Sequence, residues 1–502
     1  LGAGIGGLTA AYLLRNADYQ VQIVEAQNRA GGRSYTVRRD YTFTEESPEH
    51  GTTTQTCRFD KDLYLNMGPG RLPFHHRRVL KYCELLGVRL ELYVMDTTAN
   101  LFQTPLAFDG KPQTRHRILN DTQGYIAELL AKAIRKRSLD EELTEVDRDK
   151  LLSLLVDFGD LQSNYTYAGS TRSGCEYPLT VEQSCEPESR LSLQYLLSSE
   201  FWKHRFYQPI DFEWQPTLFQ PVGGMDRIVD GFKNKVGDLI EYEAEVTGIR
   251  LVKEANKDSV EVTYQNRNTH QKQTRRVDFC ISNIPVPLLR AIPANFSDQF
   301  TKALNRARFA PTCKVGWQAN KRFWESNENQ IYGGISYIDD IITQIWYPSN
   351  DYFSGNGTLT GAYNYDQDAI NLGKMSLRER LEAARKSAYK LHPEFMNNEI
   401  VPIDLGLSIA WHNVPFQRGG WADWDGSDPA DQEAYSQLLE PDGHFYVVGD
   451  QVSPLPGWQE GAMMSAEYVV EQIAATILRR IKPVRPAIRR APNTREIVQG
   501  IF

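Results

Sequence analysis

The start of the chain contains the feature that most constrains its fold. Gly2, Gly4 and Gly7 match the spacing G-x-G-x-x-G, a segment with helical spacing follows, and residues 19–25 have the pattern of a strand that ends at Glu25. In this order the glycines permit a tight turn and a close approach to a pyrophosphate, while the acid reaches a ribose hydroxyl. The pattern predicts a Rossmann-type dinucleotide site. Because an acid rather than an arginine ends the strand, a 2′-phosphate is disfavoured, so the cofactor is FAD or NAD.

Composition excludes several classes of partner. The chain has 502 residues, 41% hydrophobic and 24% charged, which suits two or three ordinary globular domains. A net charge of −8 provides no basic footprint for nucleic acid. No stretch approaches the roughly 18 apolar residues that a membrane span needs. We therefore expect a soluble protein without nucleic-acid or membrane partners.

The chain start and the cysteines bear on the compartment. Leu1 is not an initiator methionine, and the strand expected before Gly2 is missing. We therefore expect an incomplete N-terminus from which a signal peptide could have been lost, and we favour the cytoplasm without assigning a compartment. The six cysteines show no metal-binding spacing. Cys175 and Cys185 could bridge a loop, although spacing alone does not establish the pair.

A second glycine cluster separates the two candidate cofactors. The sequence R-A-G-G-R at residues 29–33 resembles the R-x-G-G-R stretch of flavin-containing amine oxidases, and a plain nicotinamide dehydrogenase has no need of it. Further stretches resemble this family in its own order, at residues 68–73, 219–226, 445–450 and 456–462. The resemblance extends from residue 2 to about residue 478, and L-amino acid oxidases are the most similar branch. FAD is therefore the predicted cofactor.

The resemblance implies a FAD site assembled from distant stretches. The backbone of Val246 would meet the adenine, and Asp450 would bind a ribityl or pyrophosphate oxygen. In monoamine oxidases a cysteine bonded to the flavin follows a similar Gly-Gly pair, but here Trp421 follows it, which implies non-covalent FAD. The implied cofactor-binding residues are Gly2, Gly4, Ile5, Gly6, Gly7, Glu25, Ala26, Arg33, Gly68, Pro69, Gly70, Arg71, Val246, Gly449, Asp450, Gly457, Trp458 and Ala462.

Three residues are predicted to be catalytic. In L-amino acid oxidases a turn similar to residues 68–73 provides an arginine for the substrate carboxylate, which implies this role for Arg71. A guanidinium suits it, because it binds a carboxylate bidentately and stays charged. By the same resemblance, Tyr363 adds a second hydrogen bond to the carboxylate, and Lys314 reaches flavin N5 through a water. The alternative for Lys314 is an edge strand with its amine in solvent. The implied substrate-binding residues are Arg71, Tyr363, Tyr365, Trp421, Gly457 and Trp458.

The same reasoning predicts an α/β fold class, α+β overall, with three domains. A Rossmann-type FAD-binding domain would comprise residues 1–60, 222–300 and 438–480. A mixed-sheet substrate domain would comprise residues 61–115 and 301–437, and an inserted helical domain residues 116–221. Residues 481–502 would form an exposed C-terminal arm or an oligomer contact. Apolar spacing predicts helix over residues 123–155 and 191–206, while the polar residues 40–56 predict an exposed connection.

The resemblance implies oxidative deamination of L-amino acids. A hydride would pass from Cα to flavin N5, and oxygen would reoxidise the flavin, so that the products are a 2-oxo acid, ammonia and hydrogen peroxide. The expected partners are an L-amino acid, oxygen and further copies of the chain in a homodimer or larger oligomer. Three alternatives remain: an amino acid 2-monooxygenase, an amine or polyamine oxidase, which Arg71 disfavours, and a binding protein with a structural flavin. Tyr365, Trp421 and Trp458 predict a roomy aromatic pocket.

Overall fold

The computed structural model describes residues 1–139, 141–177, 179–254 and 258–481. Within them the α-helices are α1 (Ile5–Asn16), α2 (Arg77–Leu85), α3 (Arg115–Arg135), α4 (Glu145–Gly159), α5 (Leu193–Ser198), α6 (Arg227–Val236), α7 (Val286–Leu289), α8 (Asp298–Arg306), α9 (Asp366–Gly373), α10 (Leu377–Ala388), α11 (Pro429–Leu439) and α12 (Gln459–Ile481). The strands are β1 (Ile23–Val24), β2 (Thr36–Arg38), β3 (Thr42–Ser47), β4 (Gly51–Thr56), β5 (Tyr64–Asn66), β6 (Leu72–Pro73), β7 (Leu90–Tyr93), β8 (Leu101–Gln103), β9 (Gln113–Thr114), β10 (Leu218–Pro221), β11 (Ile240–Glu241), β12 (Ala244–Val252), β13 (Ser259–Asn266), β14 (Lys272–Val277), β15 (Cys280–Ser282), β16 (Arg308–Phe309), β17 (Thr312–Ala319), β18 (Ile335–Ile338), β19 (Gln344–Trp346), β20 (Gly357–Tyr365), β21 (Gly406–Ala410), β22 (Ala422–Asp423) and β23 (Phe445–Val447).

Parallel strands surround the start of the chain. β1 pairs in parallel with β11, and β15 pairs in parallel with β23. The first two residues join these pairs, because the amine of Leu1 donates to the Ile281 carbonyl and the Gly2 N–H donates to the Val24 carbonyl. A glycine turn and a helix follow directly, which is the Rossmann arrangement that the glycine spacing predicts. The mixed helix-and-sheet fold class is confirmed.

Helix α1 is fixed by the surfaces it buries. It packs against α6 and α12. Its apolar residues at positions 5, 8 and 11 share one face and are buried in a cluster with Phe232 and Met463. Burying each large apolar side chain contributes roughly 1.5–3 kcal/mol, more than helix propensity supplies for a helix this short. This packing holds the N-terminus of α1 at the glycine turn.

A seven-stranded sheet carries Lys314 and Tyr363, two of the predicted catalytic residues. Its order is β21-β17-β20-β19-β18-β8-β9. β17 lies between β21 and β20, and Lys314 stands opposite Ile409 on one side and Tyr363 on the other. All eight residues of β17 are buried, so both faces of the strand are covered. The edge position considered for Lys314 is therefore excluded.

The inserted helical region differs in detail from the sequence expectation. The helix predicted over residues 123–155 is interrupted, because α3 ends at Arg135 and α4 begins at Glu145, after a capping box formed by Thr144 and Asp147. The helix predicted over residues 191–206 is wrong beyond α5. Glu200 adopts a left-handed backbone with φ of 46°, which ends the helix, and short 3-10 turns follow.

The connection between α4 and α5 contains a disulfide. Cys175 and Cys185 are bonded to each other, with their Cα atoms 5.1 Å apart. This is the pair that sequence spacing suggested without establishing. The bond closes a short loop in a segment that has few buried apolar side chains of its own. It therefore restrains a part of the inserted region that packing alone restrains weakly.

Residues 40–56 are largely exposed, as their polarity predicts, but they form an ordered hairpin rather than an irregular connection. The hairpin consists of β3 and β4 and is rich in threonine, a residue that favours extended backbone. Glu45 is buried on one face of this hairpin, where its carboxylate binds Arg380 at 2.8 Å and accepts the Ala410 N–H at 2.8 Å. This one carboxylate is thus satisfied inside the protein, while the other charged residues of the segment are exposed.

The C-terminal end of the described chain is helical. α12 ends at Ile481, and the predicted C-terminal arm over residues 481–502 otherwise lies outside the described residues. Among the helices that the structure describes, none combines the length and the apolar character needed to cross a membrane.

Candidate active site

One large cavity runs between the Rossmann region, the seven-stranded sheet and the inserted helical region. Its volume is about 1080 Å3. Two predicted residues, Gly7 and Gly449, do not line it but contact residues that do. The predicted residues on its wall are Gly2, Gly4, Ile5, Gly6, Glu25, Ala26, Arg33, Gly68, Pro69, Gly70, Arg71, Val246, Lys314, Tyr363, Tyr365, Trp421, Asp450, Gly457, Trp458 and Ala462. The structure thus brings together residues from distant stretches, while their individual roles remain predictions.

The glycine turn forms a tight cradle at one end of this cavity. Gly2 has a φ of +84°, a conformation that other residues rarely adopt. A Cβ on Gly4 would lie 2.4 Å from the Asn283 amide nitrogen, and one on Gly7 would lie 2.1 Å from the Gly2 carbonyl oxygen. Among the described residues, no side chain caps the N-terminus of α1, so its first N–H groups can bind an anion. This cradle fits the pyrophosphate of a dinucleotide.

Glu25 lies beside the cradle and is held by the backbone. One oxygen of its carboxylate accepts the Ala3 N–H at 2.7 Å, and the other accepts the Gln27 N–H at 2.8 Å. Burial raises the pKa of this carboxyl group, and the two backbone hydrogen bonds oppose the rise. Each carboxylate oxygen keeps acceptor capacity toward the cavity, as the predicted contact with a ribose hydroxyl requires.

Arg33 and Asp450 connect the two glycine-rich ends of the cofactor region. The Arg33 guanidinium forms a bidentate ion pair with Asp450 and donates to the Gly420 carbonyl. Asp450 also accepts the Gly457 N–H at 2.8 Å, just before α12 begins. Both residues line the cavity, but the Asp450 carboxylate is already shared by two donors. Its geometry fixes the turn before α12, and the predicted contact with FAD remains a prediction.

Arg71 is a partly buried cation that has no anionic partner among the residues that the structure describes. Its guanidinium carbon lies 3.8 Å from the centre of the Trp214 ring, 4.7 Å from Trp458 and 5.3 Å from Trp346. Within the described ranges its Nε atom is buried and has no hydrogen-bond partner. Burial lowers the pKa of Arg71, although a guanidinium remains charged at neutral pH. The aromatic rings stabilise the cation, and the unpaired donors favour binding of an anion.

Lys314 approaches the same place from the centre of the sheet. Its side chain is 4% exposed, and Nζ donates to the Gly68 carbonyl at 2.6 Å and to the Asn66 carbonyl at 3.3 Å. Burial, and then the charge of Arg71, lower the pKa of Lys314 to about 7. An ammonium group has three donors, so one remains for a water or ligand in the cavity. This amine can hold or release a proton near neutral pH.

Two tyrosines and a tryptophan line another part of the cavity wall. Tyr363 and Tyr365 are two residues apart on β20 and therefore face the same side, with ring centres 4.6 Å apart. Tyr365 packs on Trp421 at 5.4 Å, and Tyr363 packs on Trp346 at 5.3 Å. Burial raises the pKa of Tyr363 well above its ordinary value. Its phenol is therefore neutral at physiological pH and can donate to a carboxylate.

Several wall residues were missed by the sequence reasoning. They are Trp214, Trp346, Glu213 and Arg205. Glu213 accepts hydrogen bonds from His76 at 2.6 Å and His75 at 3.2 Å, which fixes the adjacent Trp214 over the turn that contains Arg71. None of them belongs to a spaced motif. The sequence offered one indication for this region. Residues 201–214 are rich in aromatic side chains, which is typical of a segment that lines an apolar surface.

Comparisons with known proteins agree with this geometry. The family model for flavin-containing amine oxidoreductases matches residues 5–474. The chain is 26% identical to the flavin-dependent L-tryptophan oxidase RebO of Lentzea aerocolonigenes, over 95% of this chain and 97% of that protein. It is 24% identical to the L-amino-acid oxidase of Siganus canaliculatus, over 93% of this chain and 83% of that protein.

Solved structures show the same fold. Wild-type putrescine oxidase bound to putrescine superposes with a TM-score of 0.58 at 17% identity, over 94% of this chain and 98% of that chain. At this identity the likeness concerns the fold alone. The family match, in contrast, covers nearly the whole chain, and the members of this family contain a flavin. This protein therefore belongs to the flavin-containing amine oxidoreductases, and its cofactor is FAD.

Proposed function

We propose that this protein oxidises L-amino acids to 2-oxo acids, with ammonia and hydrogen peroxide as the other products. The strongest support for this proposal is that Arg71 lines the cavity as a cation whose charge is not balanced by an anion among the described residues. It is a partly buried cation stacked 3.8 Å from Trp214 on the cavity wall, and it forms no ion pair among the described residues. A carboxylate on the substrate supplies the missing anion, and a simple amine does not.

The reaction balances with FAD and oxygen. FAD, when bound, accepts a hydride from the substrate Cα and transfers the electrons to oxygen. The amino nitrogen loses a proton, the resulting imine is hydrolysed by one water, and one oxygen molecule becomes one hydrogen peroxide. The glycine cradle at Gly2 and Gly4 and the uncapped N-terminus of α1 would hold the pyrophosphate.

The residues of the chain bind and orient the amino acid. Arg71 binds the carboxylate through two parallel hydrogen bonds, and the neutral phenol of Tyr363 donates a third. Lys314, tied to the Gly68 and Asn66 carbonyls, has one donor left to order a water in the cavity. Three tryptophans around Arg71 exclude other water, which strengthens the ion pair. Tyr365, Trp421 and Trp458 provide an apolar wall for the rest of the substrate.

Oxidation of a simple amine is the second candidate. It is favoured by the acidic residues on the cavity wall outside the predicted cofactor-binding set, which are Asp211, Glu213, Glu245, Asp366 and Asp423. Glu213, however, is bound by His75 and His76, so it offers less charge to a substrate cation. An amine would also leave Arg71 unpaired and facing a like charge. Oxidative decarboxylation to an amide uses the same arginine and differs only in its product.

The deciding experiment compares substrates and products on the purified holoenzyme. Peroxide release is measured with the common L-amino acids, their D-enantiomers and the corresponding decarboxylated amines, and the organic product is identified by mass spectrometry. We expect turnover of L-amino acids with formation of the 2-oxo acid. Faster turnover of the amines would establish an amine oxidase, and an amide with released carbon dioxide would establish a monooxygenase.

A further inference from the structure

The wall of the cavity contains a second arginine that amino-acid oxidation does not by itself require. Arg205 follows α5 in the inserted helical region, and its side chain is exposed where the cavity meets solvent. Its guanidinium carbon lies 4.3 Å from the centre of the Tyr365 ring. Tyr365 in turn packs against Tyr363 and Trp421. Arg205 is thus placed over the aromatic wall that faces the substrate space.

Arg71 and Arg205 both influence the tyrosine pair Tyr363 and Tyr365. Burial raises the pKa of Tyr363 most strongly, and the charges of Arg71 and Arg205 both oppose this rise. The two cations are therefore near enough to Tyr363 for both to influence its ionisation. Arg71 contacts Trp214, Trp346 and Trp458, whereas Arg205 contacts Tyr365, so they lie over different rings of the aromatic wall.

Neither cation is neutralised by the part of the chain that the structure describes. The acidic residues that share their cavity are Glu25, Asp211, Glu213, Glu245, Asp366, Asp423 and Asp450, and none of them lies within 4.0 Å of either guanidinium. Glu213 is bound to His75 and His76 instead. Lys203, close to Arg205 in sequence, has a partner in Glu200 at 2.8 Å. Two unpaired cations that line one space repel each other unless anions lie between them.

We infer that the preferred substrates are L-amino acids whose side chain ends in a carboxylate, such as L-glutamate and L-aspartate. This inference rests on the proposed function. Arg71 would bind the α-carboxylate, and Arg205 would bind the carboxylate of the side chain where it crosses the aromatic wall at Tyr365. The net charge of the chain is −8, so its overall field does not attract a substrate with a net negative charge. The selectivity would therefore come from these local cations.

Matched substrates isolate the side-chain charge. Glutamate and glutamine, and aspartate and asparagine, have nearly the same shape and differ in this charge. We would measure kcat/KM for all four, and for leucine and phenylalanine, on the holoenzymes of wild type, Arg205→Ala, Arg205→Lys and Lys203→Ala. Wild type is expected to favour each acid over its amide. Removing a hydrogen bond to a charged group costs about tenfold to a hundredfold, so Arg205→Ala should lower kcat/KM for the acids by this factor and change the amides about threefold at most.

The two control variants separate binding from other effects. Arg205→Lys keeps the charge and should retain a preference for the acids, which shows that the loss in Arg205→Ala is not a folding defect. Lys203→Ala removes a nearby cation that already has a partner and should leave the acid-to-amide ratio within about twofold. FAD absorbance of every variant reports whether the site is intact.

Three results overturn the inference. They are wild-type turnover of amides or apolar amino acids at least as fast as acids, an acid-to-amide ratio unchanged in Arg205→Ala, and an equal loss in Lys203→Ala. In each of these cases L-amino acids are still oxidised, so the proposed function stands while the substrate preference fails. Absence of peroxide with every L-amino acid in wild type would instead remove the proposed function itself.

Discussion

Lys314 on β17 stands opposite Tyr363 on β20, and its Nζ lies 4.3 Å from the centre of the tyrosine ring. The same Nζ donates to the carbonyl of Gly68, three residues before Arg71. One buried amine therefore connects the sheet that carries Tyr363 to the turn that carries Arg71. Because Lys314 also carries part of its charge near neutral pH, its protonation influences both of the predicted carboxylate-binding groups.

Lys314→Met should slow oxidation of reduced FAD by oxygen more than it slows reduction by substrate. Methionine has a similar length but cannot order a water, and ordering a water is the role predicted for the amine. Rapid mixing measures the two half-reactions separately. Lys321→Met, at an exposed lysine just after the same strand, is the matched control. Equal slowing of both half-reactions, or none of either, would count against this role.

The stability of the protein should depend on pH through the same lysine. Burial lowers the pKa of Lys314 from 10.5 to about 7, so between these values the unfolded chain holds the proton that the folded chain releases. The cost of burying the charge is therefore complete below about pH 7, falls as the pH rises, and is gone above about pH 10.5. Lys314→Met removes that cost.

The measurement is the melting temperature of wild type and Lys314→Met at several pH values with FAD in excess. The variant should gain most over wild type near pH 6 and least near pH 10. The variant also loses the hydrogen bonds to the Gly68 and Asn66 carbonyls. This loss changes the difference in melting temperature between variant and wild type by an amount that depends little on pH. A difference that stays constant from about pH 6 to about pH 10 would contradict a lowered pKa.

The sequence predicted those features of the fold and of the active site that depend on residues close together in the chain. The glycine turn, the acid at Glu25 and the strand around Lys314 are local patterns, because turn geometry and strand periodicity act over a few residues. The break between α3 and α4 was missed because a capping box at Thr144 outweighs apolar spacing that continues through it. The placement of the domain boundaries, such as residues 60 and 221, stays a prediction.

The rest of the site depends on contacts between distant parts of the chain. Trp214 reaches Arg71 because Glu213 is bound by His75 and His76, and β10 pairs with β6 beside them. No spacing in the sequence encodes such a contact, which exists only after the inserted region packs on the sheet. Arg205 was missed for the same reason, since an arginine in a loop is ordinarily a solvated surface residue.

FAD should be released intact when the protein is denatured. The residue after Gly420 is Trp421, which cannot form the thioether that a cysteine forms at this place in monoamine oxidases. Acid or heat precipitation followed by absorbance of the supernatant measures the released flavin. Full recovery in the supernatant is expected. Flavin that remains with the washed precipitate, or a tryptic peptide with the mass of bound flavin, would show a covalent link.

Arg71→Ala should abolish useful turnover of L-amino acids while FAD stays bound. Breaking a desolvated ion pair by removing one partner costs roughly 3–5 kcal/mol, which corresponds to about two to four decades in kcat/KM at ~1.4 kcal/mol per decade. Tyr363→Phe removes one hydrogen bond to the carboxylate and should cost about 1.5–3 kcal/mol. Each loss should be specific to substrates that carry the α-carboxylate.

The decarboxylated amine of a good amino acid is the control for this prediction. Its kcat/KM, measured on wild type, Arg71→Ala and Tyr363→Phe, should change far less than that of the amino acid, because it has no carboxylate to lose. Since Arg71 also stacks on Trp214 and Trp458, Arg71→Lys keeps a cation there but loses the bidentate geometry, and should fall between wild type and alanine. If Arg71→Ala lowers the amine and the amino acid equally, the arginine supports the wall of the cavity rather than the substrate carboxylate.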